Sequence, residues 1–247
     1  MRDRLIGSLV LLVAAGSLVW AQGPQTVTAG SSALVTQVGR TADFTVEGDG
    51  GAPAWAKAEW VPLNPRGANT STWATRVKLL YSSTGLYVLM DAEDRKITAT
   101  LTEDFLDLWN EDVFEFFLWT DERWPVYFEY EISPLGFELP ILIPNFNGQF
   151  LGWRPWHYEG PRRIRKAVAV AGGPAKSGAA ITRWTAEVFL PYDLLKPLQN
   201  VPPQPGTKWR ANFYRMDYDG GRGARWAWAP VTGTFHNYQK FGTLIFQ

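Results

Sequence analysis

Cysteine is absent from the chain, and histidine occurs only at positions 157 and 236. Without cysteine there is no disulfide scaffold, no thiolate zinc site, no Fe–S cluster and no lipid anchor on a cysteine. His157 and His236 alone leave little room for a histidine-rich metal centre. An excess of charge of either sign is missing too: 24 Lys+Arg balance 24 Asp+Glu. That excludes the basic surface a nucleic-acid binder needs to displace counterions from phosphate. Helical periodicity is nearly absent, and no run after the first twenty residues is apolar enough to span a bilayer. What the chain has in quantity is aromatic side chains, 13 Trp, 9 Tyr and 14 Phe among 247 residues. At 46% hydrophobic and 19% charged it has the composition of a globular protein.

The first segment carries the pattern of a secretory signal peptide. Met1-Arg2-Asp3-Arg4 is a short charged start, Leu5–Trp20 is apolar or small, and Val19-Trp20-Ala21 offers a cleavage site before Gln22. Removing residues 1–21 leaves 22 basic and 23 acidic residues. The mature protein is then expected outside the cytoplasm, in the periplasm or secreted, with no membrane association. Residues 22–42 are small and polar and read as a flexible leader. Residues 43–247 read as one domain, because the Pro/Gly-rich stretches at 172–174 and 202–206 are short enough to punctuate strands.

Strand signals dominate that domain. Arg76–Tyr81 and Leu86–Ala92 flank Ser82-Ser83-Thr84-Gly85, a hairpin pattern, and Asp112–Trp119 with Val126–Ser133 form a second. Gly136–Ile143 ends at Pro144, and Asn147-Gly148 is a turn signal. Ile164–Ala171, Ile181–Leu190, Lys208–Asp217 and Lys240–Phe246 complete roughly nine strands. Short helical turns are expected at Thr102–Leu108 and at Pro191–Lys196. The expected fold class is all-β, a single β-sandwich of mostly antiparallel strands.

Both alternating faces of Asp112–Trp119 are apolar, so this strand is expected to be central, with Glu115 an exception on its face. A carboxylate among aromatics on a central strand must be paired, hydrogen-bonded or open to a cleft. A hairpin register that pairs Glu115 with Glu129 sets two carboxylates side by side, with Arg215 as the candidate counter-ion. Other aromatics fall in loops: Trp109; the group Trp153, Trp156, His157 and Tyr158; and Phe235, His236 and Tyr238. Flat rings pack on the C–H face of a sugar while carboxylates and arginine bind its hydroxyls, a mixture that suits carbohydrate better than lipid.

Several segments, in order, resemble the family 9 carbohydrate-binding module. They include Val46-Glu47-Gly48-Asp49 with Trp55, Gly85-Leu86-Tyr87-Val88-Leu89, and Trp109-Asn110-Glu111-Asp112-Val113-Phe114-Glu115-Phe116. Tyr127-Phe128-Glu129-Tyr130-Glu131, Trp184–Pro191, Asn212-Phe213-Tyr214-Arg215 and Lys240-Phe241-Gly242-Thr243-Leu244 continue the series. The resemblance implies a β-sandwich that binds oligo- or polysaccharide, sometimes with calcium, in the service of enzymes that degrade glycans. It places Trp109 as the first sugar-stacking ring and Glu115 as a hydrogen-bonding group. Phe235 stands where the second ring, a tryptophan, is usual. Glu129 falls near a position where the family has arginine, and Arg215 is expected to compensate in space.

The resulting expectation is a free-standing, non-catalytic carbohydrate binder using Trp109, Glu115, Glu129, Arg215, Phe235, His236 and Trp156, partnered by a separate glycan-degrading enzyme. Two alternatives accompany it. A glycoside hydrolase would use Glu115 with Glu129 or Glu131 as acid and base. A haem-binding electron-transfer subunit would draw axial ligands from Met90, Met216, His157 and His236. Calcium is a candidate cofactor, with Glu47, Asp49, Asp91, Glu93 and Asp94 as oxygen donors, although their spacing matches no EF-hand loop.

Overall fold

The computed structural model describes residues 34–247; the signal-peptide reading of residues 1–21 lies outside the described residues. Two sheets face each other. One runs in the order β10 (Arg165–Ala171), β11 (Arg183–Pro191), β4 (Gly85–Glu93), β3 (Thr75–Tyr81). The other runs β14 (Gly242–Phe246), β12 (Lys208–Asp217), β5 (Val113–Trp119), β6 (Val126–Ile132), β7 (Glu138–Phe146). Strand β1 (Val35–Arg40) joins them, pairing in parallel with β14 through Val35–Val38 and with β3 through Gly39 and Arg40. β2 (Val61–Arg66) and β13 (Ala224–Ala227) make a second link, pairing with each other and with β3 and β12 respectively. The short β8 (Gln149–Phe150) and β9 (Arg154–Pro155) extend β7. One four-residue helix, α1 (Tyr192–Leu195), follows Pro191.

Alternation sorts the apolar residues into layers. Phe114, Phe116 and Leu118 of β5 face inward with Phe128, Tyr130 and Ile132 of β6. They meet Val88 and Met90 of β4 and Trp184 and Val188 of β11. Phe114 stacks on Trp184 with ring centres 3.7 Å apart, which ties the sheets face to face. The outer faces are also covered. Residues 44–60 lay Phe44 and Trp55 over Leu80, Tyr87 and Leu89. Buried Glu187 anchors this cover, its carboxylate accepting the indole N–H of Trp55 (2.7 Å) and the backbone N–H groups of Glu47 and Gly48. On the opposite outer face, Phe117, Trp119, Tyr127 and Ile141 lie beneath loops that bring Leu101, Phe105 and Tyr238 onto them. Strand β5 is buried along its whole length for this reason.

The hairpins form where the turn chemistry asks for them. Ser82 Oγ accepts the amides of Thr84 and Gly85 between β3 and β4. A Cβ at Gly85 would lie 2.3 Å from the Leu190 carbonyl, so glycine is needed there. Asn147 and Gly148 both take positive φ, as a two-residue hairpin turn requires. Pro140 and Pro144 sit in β7, beyond which only β8 and β9 pair, where missing amides are tolerated.

Three expectations are corrected. The segment read as a flexible leader contains β1, made a strand by its partners β14 and β3 rather than by its own sequence. Thr102–Leu108 is not helical: it is drawn across the outer face, where the Phe105 amide donates to the Glu138 carbonyl, and only Leu108–Asn110 forms a 3-10 turn. The β5–β6 register differs by two residues from the one expected. Glu115 opposes Glu131, and Glu129 opposes Phe117.

Candidate functional site

A cavity of about 520 Å³ opens on the outer face of the β5–β6–β12 sheet. Its floor carries Glu115 from β5, Glu129 and Glu131 from β6, and Met216 from β12. The two-residue register difference leaves all three glutamates on one face, since side chains alternate with period two. The walls come from loops. Trp109 is held by its carbonyl, which accepts the Tyr218 hydroxyl at 2.8 Å. Its ring meets Trp153 edge-on at 5.8 Å. Phe235 lies flat on Tyr214 with centroids 4.0 Å apart, and the Tyr214 hydroxyl donates to the Phe235 carbonyl. His236 is stacked against Phe150 at 4.1 Å.

The floor is electrostatically unusual. Glu115 and Glu131 are 2% and 0% exposed. Oε1 of Glu115, Oε2 of Glu129 and both carboxylate oxygens of Glu131 receive no well-aligned hydrogen bond; Glu129 and Glu131 lie against each other, and Glu131 against the Trp109 backbone. Burial pushes Glu115 up to about 8, with the Arg225 charge acting against the shift. Burial, reinforced by the charge of Glu115, pushes Glu129 and Glu131 well above the usual carboxylate range. Burial also lowers His236 to about 4, so its ring is neutral at physiological pH. His236 Nδ1 lies 2.7 Å from the Tyr127 hydroxyl, whose own acidity burial suppresses.

Five of the seven residues singled out from the sequence meet here: Trp109, Glu115, Glu129, Phe235 and His236. Arg215 does not. It neighbours Tyr214 on β12, so it points to the other face, into the core between the sheets. There it donates to Asp217 (2.6 Å), Thr75 and the Glu93 carbonyl, lies 3.2 Å from Asp94, and stacks over Trp226. Trp156 also lies elsewhere. Its indole donates to the Leu194 carbonyl and its ring carries Arg162. The cation at the cleft is Arg225, exposed at the rim and donating to the Gly233 carbonyl. Tyr214, Met216 and Tyr218 share the alternate face of β12 and its extension, a pattern the sequence carried. Nothing in it singled out Arg225.

Of the candidate calcium donors, Asp49, Asp91 and Glu93 are engaged by protein groups. Asp91 is paired with Arg76 and Arg183, Glu93 accepts the Ala74 amide, and Asp49 the Gly51 amide. Asp94 does lie with Asp112 and Asp219, their carboxylate oxygens within 4.8 Å of one another. However, Asp94 faces Arg215 and accepts two backbone amides, and Asp112 accepts those of Thr98 and Tyr218. Protein donors hold most of this cluster, while Oδ2 of Asp94 is buried beside Arg215 without a hydrogen-bond partner. Of the haem candidates, Met90 is sealed between the sheets while Met216 and His236 line the cleft. His157 packs on Phe105.

The outer sheet face carries a ring-walled, carboxylate-floored cleft. Known proteins share the fold. Residues 46–137 match the family described as carbohydrate family 9 binding domain-like. A carbohydrate-binding module of family 9 from Caldicellulosiruptor kristjanssonii shares the fold, in complex with cellotriose (TM-score 0.58, 17% identity, 86% of this chain and 94% of that one). Its glucose complex gives TM-score 0.59 at 15% identity, covering 86% and 96%. A Bacteroides uniformis protein with a provisional carbohydrate-binding assignment superposes with TM-score 0.72 at 17% identity, over 87% of this chain and all of that one. An extracellular protein of Arthroderma benhamiae is 29% identical over 146 residues, 57% of this chain. The match spans 62% of that relative's length.

Proposed function

We propose that this is a secreted, non-catalytic protein that binds a saccharide in the cleft between Trp109 and Phe235. The observation that carries the reading is the convergence of flat rings on buried acceptors that receive no well-aligned hydrogen bond: Trp109, Trp153 and Phe235 surround Glu115, Glu129 and Glu131. A sugar ring answers both needs. Its C–H face packs on an aromatic ring while its hydroxyls donate to the carboxyl oxygens. The cavity volume falls within the range of small-ligand pockets, about 300–1,000 Å³. The three glutamates lie together on one floor, an arrangement suited to holding a guest from below. The acid and base of a glycosidase instead flank the scissile bond. The family match, the saccharides bound by the structural relatives and the extracellular relative support binding outside the cell. Delivery of glycan to a separate degrading enzyme is the role that follows.

Isothermal titration against soluble oligosaccharides and a glycan array test the reading. Saturable binding to at least one saccharide is expected. Silence across a broad panel by a folded protein would refute it.

A further inference from the structure

The three cleft glutamates differ from the other buried carboxylates in one respect. Asp91 has two arginines, and Asp94 and Asp217 share Arg215. Glu138 has Lys166 and the hydroxyls of Tyr130 and Tyr158; Glu187 has three N–H donors; Asp112 has two. Among the described residues, Glu115 and Glu131 have no ion-pair partner at all, and Glu129 has only His236 at 3.7 Å. The ionisable groups that face them from the surrounding elements are Tyr127, Tyr214, Tyr218, His236 and Arg225. Of these only Arg225 carries positive charge, and it sits at the solvent edge.

Where the fold needs buried acids, it supplies their donors. In the cleft it supplies no buried basic group: Glu129 and Glu131 lie against each other, and Glu131 against the Trp109 backbone, beside a cavity. Like charges directly opposite on neighbouring strands repel, and a carboxylate without a donor is costly to bury. Sugar hydroxyls satisfy the acceptor oxygens but supply no positive charge that would let the carboxyls ionise. An ammonium group does both, donating three hydrogens and supplying the charge. The three carboxylates do not gather within 4.8 Å of one another as Asp94, Asp112 and Asp219 do, so a guest cation meets them as a spread acidic floor and not as a three-point cage.

We propose that the cleft selects a carbohydrate bearing a free amine, an amino sugar whose ammonium sits over Glu115, Glu129 and Glu131. This rests on the carbohydrate reading of the same cleft and narrows it to a cationic class. Binding the ammonium ionises carboxyls that hold their protons in the empty cleft, so protons are released on binding.

The test is titration of the full chain at about pH 6, where the amine is charged, with three β-1,4-linked trimers. These are the glucosamine trimer, its N-acetylated form and cellotriose. The glucosamine trimer is expected to bind at least about tenfold more tightly than either of the others. Its binding heat is expected to vary with the ionisation heat of the buffer, reporting proton release, while that of cellotriose does not. Glu131→Gln, checked for folding by circular dichroism, is expected to erase the preference. Cellotriose binding as tightly as the glucosamine trimer would overturn the inference and leave the carbohydrate reading standing. Equal binding of the two amino-sugar forms would assign recognition to shape and overturn it too. Should the variant fail to fold, buffer-independent heat for the glucosamine trimer with the parent protein is the overturning result. Silence toward all three trimers overturns the inference, and the carbohydrate reading then rests on the wider panel.

Discussion

Glu131 lies directly opposite Glu115 across the β5–β6 pairing, and both side chains are sealed from solvent. Two acids so placed cannot both ionise without cost, and the pH dependence of stability follows.

Glu115 is raised from 4.5 to about 8, and Asp112 from 3.8 to about 8, mainly by burial. Asp94 is raised to about 6 by burial. Between the ordinary carboxylate range and these values the unfolded chain binds fewer protons than the folded one. Stability is therefore fully present at acid pH and falls as pH rises toward 8. His236 works the other way, since its lowered value makes stability fall as pH drops from 6.5 toward about 4. The melting temperature is expected to peak in mildly acidic solution and decline toward pH 8. Glu115→Gln should flatten the decline. Thermal melts across pH check this, and a melting temperature that climbs toward pH 8 would contradict it.

Trp109→Ala removes a wall of the cleft while leaving the sheets untouched. Saccharide affinity is expected to fall by about tenfold or more, roughly 1.4 kcal/mol, because a single aromatic anchor can dominate a small interface. The half-buried ring should contribute little to the melting temperature. Titration beside a thermal melt separates the two effects, and affinity within twofold of the parent would remove Trp109 from the site.

Arg215→Met leaves Asp94 and Asp217 buried without their cation. Breaking such a pair costs about 3–5 kcal/mol, so a large loss of stability in denaturant unfolding is expected. Because Arg215 lies in the inter-sheet core, folded variant protein should keep its saccharide affinity. An affinity loss with stability intact would place Arg215 functionally in the cleft after all.

Glu187→Ala strands the Trp55 indole N–H and two backbone amides under the cover formed by residues 44–60. A buried donor without a partner costs about 1–3 kcal/mol. Destabilisation in urea is expected, with early loss of hydrogen-exchange protection at Glu47 and Gly48. Protection equal to the parent's would show that the carboxylate does not anchor this segment.

Arg225→Gln removes the positive charge that partly offsets the burial of Glu115. The Glu115 carboxyl is expected to titrate still higher, as read by carboxyl carbon NMR. An unchanged or lower value would show that the rim guanidinium does not reach the cleft floor electrostatically.

Local signals were legible because they arise from local physics. The Ser82–Gly85 and Asn147-Gly148 turns follow from side-chain capping and positive φ. The doubly apolar pattern of β5 declared a strand covered on both sides. Alternation also set Arg215 with Phe213 and apart from Tyr214. It could not say which of those faces meets Glu115, because β12 and β5 pair across about a hundred residues of chain. Spacing in a loop likewise gave no means to tell Trp153, in the cleft, from Trp156, pinned to the Leu194 carbonyl. Strand β1 was invisible because its conformation is imposed by β14 and β3.

By itself the sequence determined the all-β class, the central place of Asp112–Trp119, the turns, and a surplus of loop aromatics near strand glutamates. These depend on residue type and on periods of two. Only the tertiary structure decided that Glu115 faces Glu131, that Arg215 belongs to the core and Arg225 to the rim, and that the three acids stand unpaired beneath the rings. Each of those depends on register and sidedness between distant segments, which burial of whole faces fixes and no local pattern encodes.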